Sequence, residues 1–404
     1  MNEPKLRFKA DDGSQFPDWE EKKLGDDVQF LNGRAYKQDE LLKSGKYLVL
    51  RVGNLFTNDS YYYSDLELDD DKYIENGNLI YAWSATFGPR IYHGKKCIYH
   101  YHIWKLKFDE NAISKMFLNY CLLHDVENVK SQRTGGTMVH ITKNAMENRK
   151  LYFPCFAEQQ KIAEFLSTID TVIEKQKETV SAWEERKKGV MQKLFSQEVR
   201  FKADDGSEFP EWEEKKLGDV ADFFNGDRSA RYPKETDFVK YGVAFLNTEN
   251  LHNTIVDISE KCKYITYEKY CELSGAKIQL LDIIYCLRGS VGLCSLNTIL
   301  EEGTVASSLM VIRAVDGIID PIYLYNSLNS DFVLGQLYQC LNGSCAGNLS
   351  AKDMAMFKIK CPCLAEQQKI ADCLSSLDDV IAKQKATLAA WEELKKGLLQ
   401  QMFV

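Results

Sequence analysis

The 404-residue sequence contains no run of eighteen apolar residues, and we therefore expect no transmembrane helix. Its first residues, Met1-Asn-Glu-Pro-Lys, lack the apolar stretch of a secretory signal, so a cytoplasmic protein is expected. The twelve cysteines show no spacing typical of a disulfide framework. In a reducing compartment they are predicted to be free thiols.

The signatures of common enzyme sites are also missing. The sequence has no phosphate-binding loop, no dinucleotide-binding glycine turn, no nucleophile elbow and no tetrapeptide like Asn-Pro-Pro-Tyr of adenine methyltransferases. Cys97, His100 and His102 could bind a metal, with both histidines on one strand face, but no further pair completes the site. Cys361-Pro-Cys363 is too tightly spaced for zinc, and the acidic run 69–71 is typical of a solvated turn. We predict no catalytic and no metal-binding residue.

Length and composition indicate an ordinary globular chain. With 45% hydrophobic and 27% charged residues, 404 residues predict two to four domains. The 51 basic and 59 acidic residues give a net charge of −8, which argues against a nonspecific nucleic-acid binder.

The chain consists of two half-copies. Residues 8–26 (FKADDGSQFPDWEEKKLGD) recur almost unchanged at 201–219, and we term this pair the opening segments. The heptapeptide AEQQKIA at 157–163 recurs at 365–371. Near-identical frames around dissimilar inserts indicate one scaffold that presents two different recognition surfaces.

The two inserts, residues 27–152 and 220–360, are predicted to have an α+β fold. Short apolar runs bounded by Gly, Pro, Asn or Asp are typical of strands, and they occur at 79–83, 98–104 and 308–312. Helices are expected around 113–128 and 320–341.

A long helix is predicted after each insert. Apolar residues alternate at spacings of four and three for over four heptads, without an internal proline. The seam positions are Ile162, Leu166, Ile169, Ile173, Gln176, Val180, Trp183, Lys187, Val190 and Leu194, and then Ile370, Leu374, Leu377, Ile381, Gln384, Leu388, Trp391, Lys395, Leu398 and Met402. Packing the seams on each other buries both. A two-fold relation would make the helices antiparallel, with the polar seam residues fixing register, and would place the chain termini near each other. The alternative is that each helix packs on its own domain.

Several insert loops combine Arg, Asn, Thr and aromatic residues with glycine. Arg can form paired hydrogen bonds with guanine and Asn with adenine, while glycine lets backbone amides approach phosphate. The candidate DNA-binding residues are Arg34, Tyr36, Lys37, Arg51, Asn54, Ser84, Thr86, Arg90, Arg133, Thr134, Thr137, Asn225, Arg228, Arg231, Tyr232, Asn247, Asn250, Arg288, Ser290, Ser344 and Asn348. Net charges of +2 on the first insert and −3 on the second permit such a face without demonstrating it. For each residue, an ordinary loop is the alternative.

This duplicated arrangement resembles the DNA specificity (S) subunit of type I restriction–modification systems. The resemblance rests on Pro-x-x-Ala-Glu-Gln-Gln-Lys-Ile-Ala at 154–163 and 362–371, and on Trp-Glu-x-x-Lys-Leu-Gly-Asp at 19–26 and 212–219. It covers essentially the whole chain. The inserts depart most from the family, so individual DNA contacts do not transfer.

The resemblance implies a non-catalytic subunit. Two pseudo-two-fold-related α/β target recognition domains would be joined by two long helices packed as an antiparallel coiled coil. Each domain would read one half of a split, asymmetric site in double-stranded DNA. The helices would act as a spacer and as a docking surface for methyltransferase (M) subunits, in a complex that also takes restriction (R) subunits. S-adenosylmethionine, ATP and magnesium would be bound by those partners, with no cofactor in this chain and no membrane contact.

The predicted division is an opening segment with the first recognition domain at 1–156, a spacer helix at 157–198, the second such domain at 199–364 and a second spacer helix at 365–404. A helix of about 39 residues spans roughly 58 Å, or around 17 base pairs. One alternative is a coiled-coil scaffold with two domains for protein or carbohydrate, which the acidic net charge favours. Another is an enzyme with an unfamiliar site. Within the leading hypothesis, a specificity subunit for a fused methyltransferase–nuclease is not distinguished from a classical system.

Overall fold

The structure is a computed structural model that describes residues 3–56, 59–84, 87–131, 141–259, 261–343 and 348–404. The chain divides into two compact units. The first unit contains Met1–Lys177 and Ala386–Val404, and the second contains Glu178–Lys385. None of the described helices is long and apolar enough to cross a membrane.

The two halves of the chain have similar but not identical series of helices and strands, and the strands of their main sheets follow the same order. Those of the first half are β1 (Glu20–Lys23), α1 (Leu24–Asp27), β2 (Gln29–Asn32), β3 (Tyr47–Leu50), α2 (Val52–Phe56), β4 (Tyr62–Ser64), β5 (Tyr73–Ile74), β6 (Leu79–Ala82), β7 (Gly88–Ile91), β8 (Cys97–Tyr99), β9 (Ile103–Lys107), α3 (Lys115–Ser131), α4 (Lys143–Glu147), β10 (Lys150–Phe153) and α5 (Phe156–Phe195). Those of the second half are β11 (Glu213–Lys216), β12 (Ala221–Asn225), β13 (Phe238–Val239), β14 (Val243–Leu246), β15 (Lys263–Ile265), α6 (Tyr267–Glu272), β16 (Ile283–Cys286), β17 (Cys294–Leu296), β18 (Thr304–Val305), β19 (Leu309–Ala314), α7 (Pro321–Leu328), α8 (Asp331–Asn342), α9 (Ala351–Ala355), β20 (Lys358–Cys361) and α10 (Leu364–Met402).

The described part of each unit contains two four-stranded sheets and a two-stranded ribbon. In the first unit the main sheet has the antiparallel order β2-β9-β6-β7, and the side sheet has the order β4-β3-β8-β5 with β3 and β8 parallel. The main sheet of the second unit has the order β12-β19-β16-β17, and its side sheet contains the parallel pair β14 and β18. The ribbons β1-β10 and β11-β20 tie each opening segment to the strand before the long helix. The α+β prediction and the internal repeat are confirmed.

Three local predictions need correction. The run at 98–104 is not one strand, because the chain turns at residues 100–102 to pass from the side sheet to the main sheet. The helix expected at 320–341 is two helices, since Asn329 and Ser330 separate α7 from α8. Ten cysteines are free, but Cys340 is disulfide-bonded, so the prediction of free thiols is wrong there; Cys345 lies outside the described residues.

The last residues of each long helix complete the core of a unit. Phe403 and Met402 are buried in the first core, where the Phe403 ring lies 5.5 Å from that of Phe117. Phe195 takes the corresponding place in the second core, 5.6 Å from the ring of Tyr323. The end of the chain is therefore part of the first unit's core.

The helices α5 and α10 bury the predicted seam. None of the twenty seam positions is exposed, whereas most positions between them are. In the first unit Asp170 pairs with Lys395 at 2.5 Å, and in the second Lys187 pairs with Asp378 at 2.6 Å. Lys177 also pairs with Glu392 in the first unit and Glu184 with Lys385 in the second, so within each unit residue numbers rise along α5 as they fall along α10. The two helices are therefore antiparallel in each unit, as predicted. Their supercoiling as a coiled coil stays a prediction.

The two AEQQKIA motifs bind the arginine that immediately precedes each opening segment. The guanidinium of Arg7 donates to both carboxylate oxygens of buried Glu158, and Arg200 does the same with Glu366. These glutamates belong to the two AEQQKIA motifs. The repeated motifs therefore form a structural ion pair in each unit.

The two ends of the chain lie near each other, as predicted. The backbone N–H of Leu6 donates to the carbonyl of Gln401 at 3.0 Å. Val199 donates to the carbonyl of Lys193 at 3.2 Å in the equivalent place of the second unit. The start of the chain meets α10 as the second opening segment meets α5.

Candidate nucleic-acid interface

The loops of the first unit meet at one end of its sheets. Strands β2 and β6 both run antiparallel to β9, so their last residues lie beside its first residue. The N–H of Gly33 donates to the carbonyl of Ile103 at 3.3 Å, and that of His100 donates to Leu50 at 2.9 Å. We term this region the first loop end, which comprises residues 33–37, 51–54, 83–84 and 100–102.

The second unit has an equivalent loop end. The N–H of Gly226 donates to Leu309 at 3.2 Å, and the N–H of Ala306 donates to Leu246 at 2.8 Å. These bonds, with that from the N–H of Leu287 to Ser308 at 2.9 Å, place the loops after β12, β14 and β16 beside the turn that precedes β19. We term this region the second loop end, which comprises residues 225–232, 247–250, 287–290, 306–308 and 348.

Arg34 and Tyr36 form a fixed pair on the first loop end. The Arg34 guanidinium donates to Glu40 at 2.7 Å and lies 5.3 Å from the centre of the Tyr36 ring. Hydrogen bonds from the Lys37 backbone and from Arg34 lower the pKa of the Glu40 carboxyl. The arginine is therefore held in position by a carboxylate that is ionised at neutral pH.

Arg51 and Asn54 are tied to the loop after α2. The Arg51 guanidinium lies 4.3 Å from the centre of the Tyr62 ring. The Asn54 side chain accepts from the Arg51 backbone at 3.1 Å and donates to the Ser60 carbonyl at 2.9 Å. Because both ends of this amide already have partners, Asn54 supports the loop in this conformation.

The other candidates of the first unit have different surroundings. Lys37 is exposed, and exposed Arg90 lies over the Phe56 ring at 4.5 Å from its centre. Ser84 is buried, so its hydroxyl does not face solvent. Four candidates lie outside the described residues, namely Thr86, Arg133, Thr134 and Thr137.

Besides Arg231, five candidates of the second unit are exposed on the second loop end: Asn225, Arg228, Arg288, Ser290 and Asn348. Arg228 donates to the Ser307 carbonyl at 3.2 Å. Backbone pairing between Arg288 and Asn348 brings the loop after β16 beside the segment before α9. An exposed cluster of two arginines and two asparagines can contact both phosphates and base edges.

The remaining candidates of the second unit support its loops. The buried amide of Asn250 accepts from the Asn247 backbone at 2.8 Å and donates to Asp257 at 2.8 Å. Tyr232 packs on Phe245, with ring centres 5.8 Å apart. Arg231 is exposed and donates to the Glu272 carbonyl at 3.2 Å, and Asn247 caps the following turn. Ser344 lies outside the described residues.

Sequence reasoning missed the turn at the centre of the first loop end. His100, Tyr101 and His102 lie there beside Trp83, with the rings of His100 and His102 centred 4.9 Å apart. The pKa of His100 is lowered to about 4, mainly by burial and to a smaller extent by the charges of His102 and Arg51. The His-Tyr-His run was visible in the sequence, but a strand was predicted through it.

Among the residues that the structure describes, no third metal ligand lies beside these histidines. Within the described ranges, no group of three or more His, Cys, Asp or Glu side chains could hold a metal ion. Cys97 lies in strand β8, and burial raises the pKa of its thiol to about 11.

Comparison with known proteins identifies the family. The family described as type I restriction modification DNA specificity domain matches residues 17–181 and 210–390, which is most of the chain. The chain therefore belongs to the type I restriction–modification DNA specificity family.

Individual relatives span nearly the full chain. The type I restriction enzyme MjaVIII specificity subunit of Methanocaldococcus jannaschii is 27% identical over 97% of this chain and 94% of its own length. The EcoBI specificity subunit of Escherichia coli is 22% identical, covering 93% and 83%. The crystal structure of an S subunit from M. genitalium has a TM-score of 0.58 at 16% identity, covering 100% and 99%. That structure shares the fold.

Proposed function

We propose that this chain is a specificity subunit that reads a split, asymmetric DNA site. Each loop end would contact one half-site in double-stranded DNA. The observation that carries this proposal is the pair of loop ends, which share a backbone frame and differ in side chains. Equivalent frames with different side chains suit two different base sequences.

The arginines on the two loop ends support DNA as the ligand, although the net charge of the whole chain is −8. Arg34, Arg51, Arg228 and Arg288 all lie on these two regions. Phosphate contacts by such residues supply affinity that falls with salt, while base contacts supply specificity. We propose that the acidic residues concentrated in the opening segments belong to other faces.

We further propose that α5 and α10 set the distance between the two half-sites and bind methyltransferase subunits, in a complex that also takes restriction subunits. The helix α5 of 40 residues corresponds to roughly 60 Å of helix. The ion pairs between the helices give the seam a defined register. The methyl donor, ATP and magnesium would be held by the partners, and the chain itself would have no catalytic role.

The test is to express the chain with its methyltransferase subunit and to sequence modified bases in the cellular DNA, with and without the chain. We expect methylation of a split motif only when the chain is present. A complex that forms but shows no chain-dependent methylation would contradict the proposal and favour a scaffold for a different ligand.

A further inference from the structure

One turn occupies the same backbone frame in both units and leads into the central strand of each main sheet. It comprises residues 100–102 before β9 and 306–308 before β19. The N–H of Ile103 donates to His100 at 3.0 Å, and the N–H of Leu309 donates to Ala306 at 2.9 Å. These two bonds close the same kind of turn at the same place in the two sheets.

The surroundings of this turn are also equivalent. The N–H of Trp83 donates to the His102 carbonyl at 3.1 Å, and the N–H of Leu287 donates to Ser308 at 2.9 Å. The middle carbonyl of each turn accepts a side-chain donor. That donor is the Trp83 indole in the first unit, at 2.8 Å, and a guanidinium, that of Arg228, in the second.

A glycine contacts the turn in each unit. A Cβ on Gly33 would lie 2.5 Å from the His100 carbonyl oxygen, and one on Gly226 would lie 2.2 Å from that of Ala306. Real Cβ atoms do not approach so closely, so the preceding loop reaches the turn only without a side chain. The surrounding hydrogen bonds and the closely packed glycine therefore hold the turn in place from several sides.

The side chains on this common frame differ completely. The first turn carries His100, Tyr101 and His102, and Tyr101 is 39% exposed. The rings of Trp83 and His102 are centred 4.9 Å apart. The second turn carries Ala306, Ser307 and Ser308, which have no rings.

The side chains of the first turn and those of the second suit different contacts with DNA bases. The low pKa of His100 keeps its imidazole neutral at neutral pH, so it offers one donor and one acceptor. An aromatic edge such as that of Tyr101 can contact a thymine methyl group. The small second turn leaves the neighbouring arginines exposed, namely Arg228, whose guanidinium also donates to the Ser307 carbonyl, and Arg288, and arginine pairs with guanine.

We propose that this turn is a specificity-determining element of each recognition domain, with His100, Tyr101 and His102 selecting bases in one half-site. The proposal rests on the proposed function, because it assigns the selection to particular residues of the same loop ends. In the second domain, Ser307 and Ser308 leave the selection to the arginines beside them.

The experiment exchanges the side chains and keeps the frame. The variant His100→Ala, Tyr101→Ser, His102→Ser gives the first turn the residues of the second. It is expressed with the methyltransferase subunit, and the methylated motif is determined by modified-base sequencing. We expect roughly tenfold or greater loss of preference at one or more positions of one half-site. The other half-site and the gap should be unchanged.

The matched control is His93→Ala. His93 is an exposed histidine between β7 and β8, at the opposite end of the same strand β8, and its variant should leave both half-sites unchanged. The single variant Tyr101→Ser changes only an exposed side chain and reports on selection if the triple variant fails to fold. It should also relax one half-site.

The outcomes separate the two proposals. A split motif from the wild-type complex, together with unchanged half-sites from both a folded triple variant and Tyr101→Ser, would overturn the assignment of the turn. If the wild-type complex forms without any chain-dependent motif, the proposed function itself fails. A change in both half-sites would also contradict the assignment, because each turn belongs to one domain.

Discussion

Replacing Arg7 with alanine should destabilise the first unit strongly. Its guanidinium donates to Glu158 at 3.1 and 2.9 Å, and that glutamate is 0% exposed. Removing the arginine leaves a buried carboxylate without its cation, which costs about 3–5 kcal/mol. With a urea dependence of roughly 2 kcal/mol per molar, the unfolding midpoint should fall by about 1.5–2.5 M.

The second unit supplies an internal comparison for this prediction. Arg200 holds Glu366 at 3.1 and 2.8 Å, but Glu366 also accepts from the indole of Trp212 at 2.9 Å. The Trp19 indole N–H has no hydrogen-bond partner among the described residues. One retained hydrogen bond contributes about 1 kcal/mol. The substitution Arg200→Ala should therefore cost about 1 kcal/mol less than Arg7→Ala.

Urea unfolding of the purified chain, followed by tryptophan fluorescence and circular dichroism, measures both effects. The double variant Arg7→Ala, Glu158→Gln should recover much of the lost stability, because it removes the buried charge as well. Two results would contradict this prediction: a midpoint shift below about 0.3 M for Arg7→Ala, or a larger loss of stability for Arg200→Ala than for Arg7→Ala.

Three further predictions concern the loop ends and the helices. Gly33→Ala and Gly226→Ala should each abolish chain-dependent methylation, because the added Cβ would clash with the backbone of the turn. The control Gly189→Ala, with no atom within 4 Å of its added Cβ, should retain methylation. Methylation that persists in the first two variants would contradict the close packing of these glycines on the turn. Arg288→Ala should weaken DNA binding roughly 10- to 100-fold and relax one half-site, as measured by binding titrations at several salt concentrations; an unchanged affinity and motif would remove Arg288 from the interface. Deleting one heptad from both α5 and α10 should shift or abolish the preferred gap in a methylation map, and an unchanged gap would exclude the helices as the spacer.

The repeats and the long helices could be predicted from the sequence because their signals are local or strictly periodic. Two near-identical opening segments and a heptad seam of ten positions require no knowledge of tertiary contacts. The antiparallel direction followed from the two-fold relation between the half-copies. Contacts such as that of Lys187 with Asp378 then agree with the polar seam positions.

The arrangement of the loops could not be predicted, since it depends on pairing between distant strands. The turn at 100–102 interrupts an apolar run that resembles one strand. It is held by hydrogen bonds between distant parts of the chain, such as those of His100 with Leu50 and of Trp83 with His102, which the sequence does not reveal. Residue type alone also did not distinguish loop residues that are exposed on the surface from those whose buried side chains support the loop. Asn250 and Asn348 look alike in sequence, but the first is buried and the second is exposed.

The proposed function requires that two different domains read two halves of one DNA site. Modified-base sequencing of cellular DNA tests it directly, with the methyltransferase subunit expressed in the presence and absence of this chain. We expect a motif of two unlike half-sites with a fixed gap, methylated only when the chain is present. A complex that forms and methylates a single continuous motif, or that shows no dependence on the chain, would contradict it.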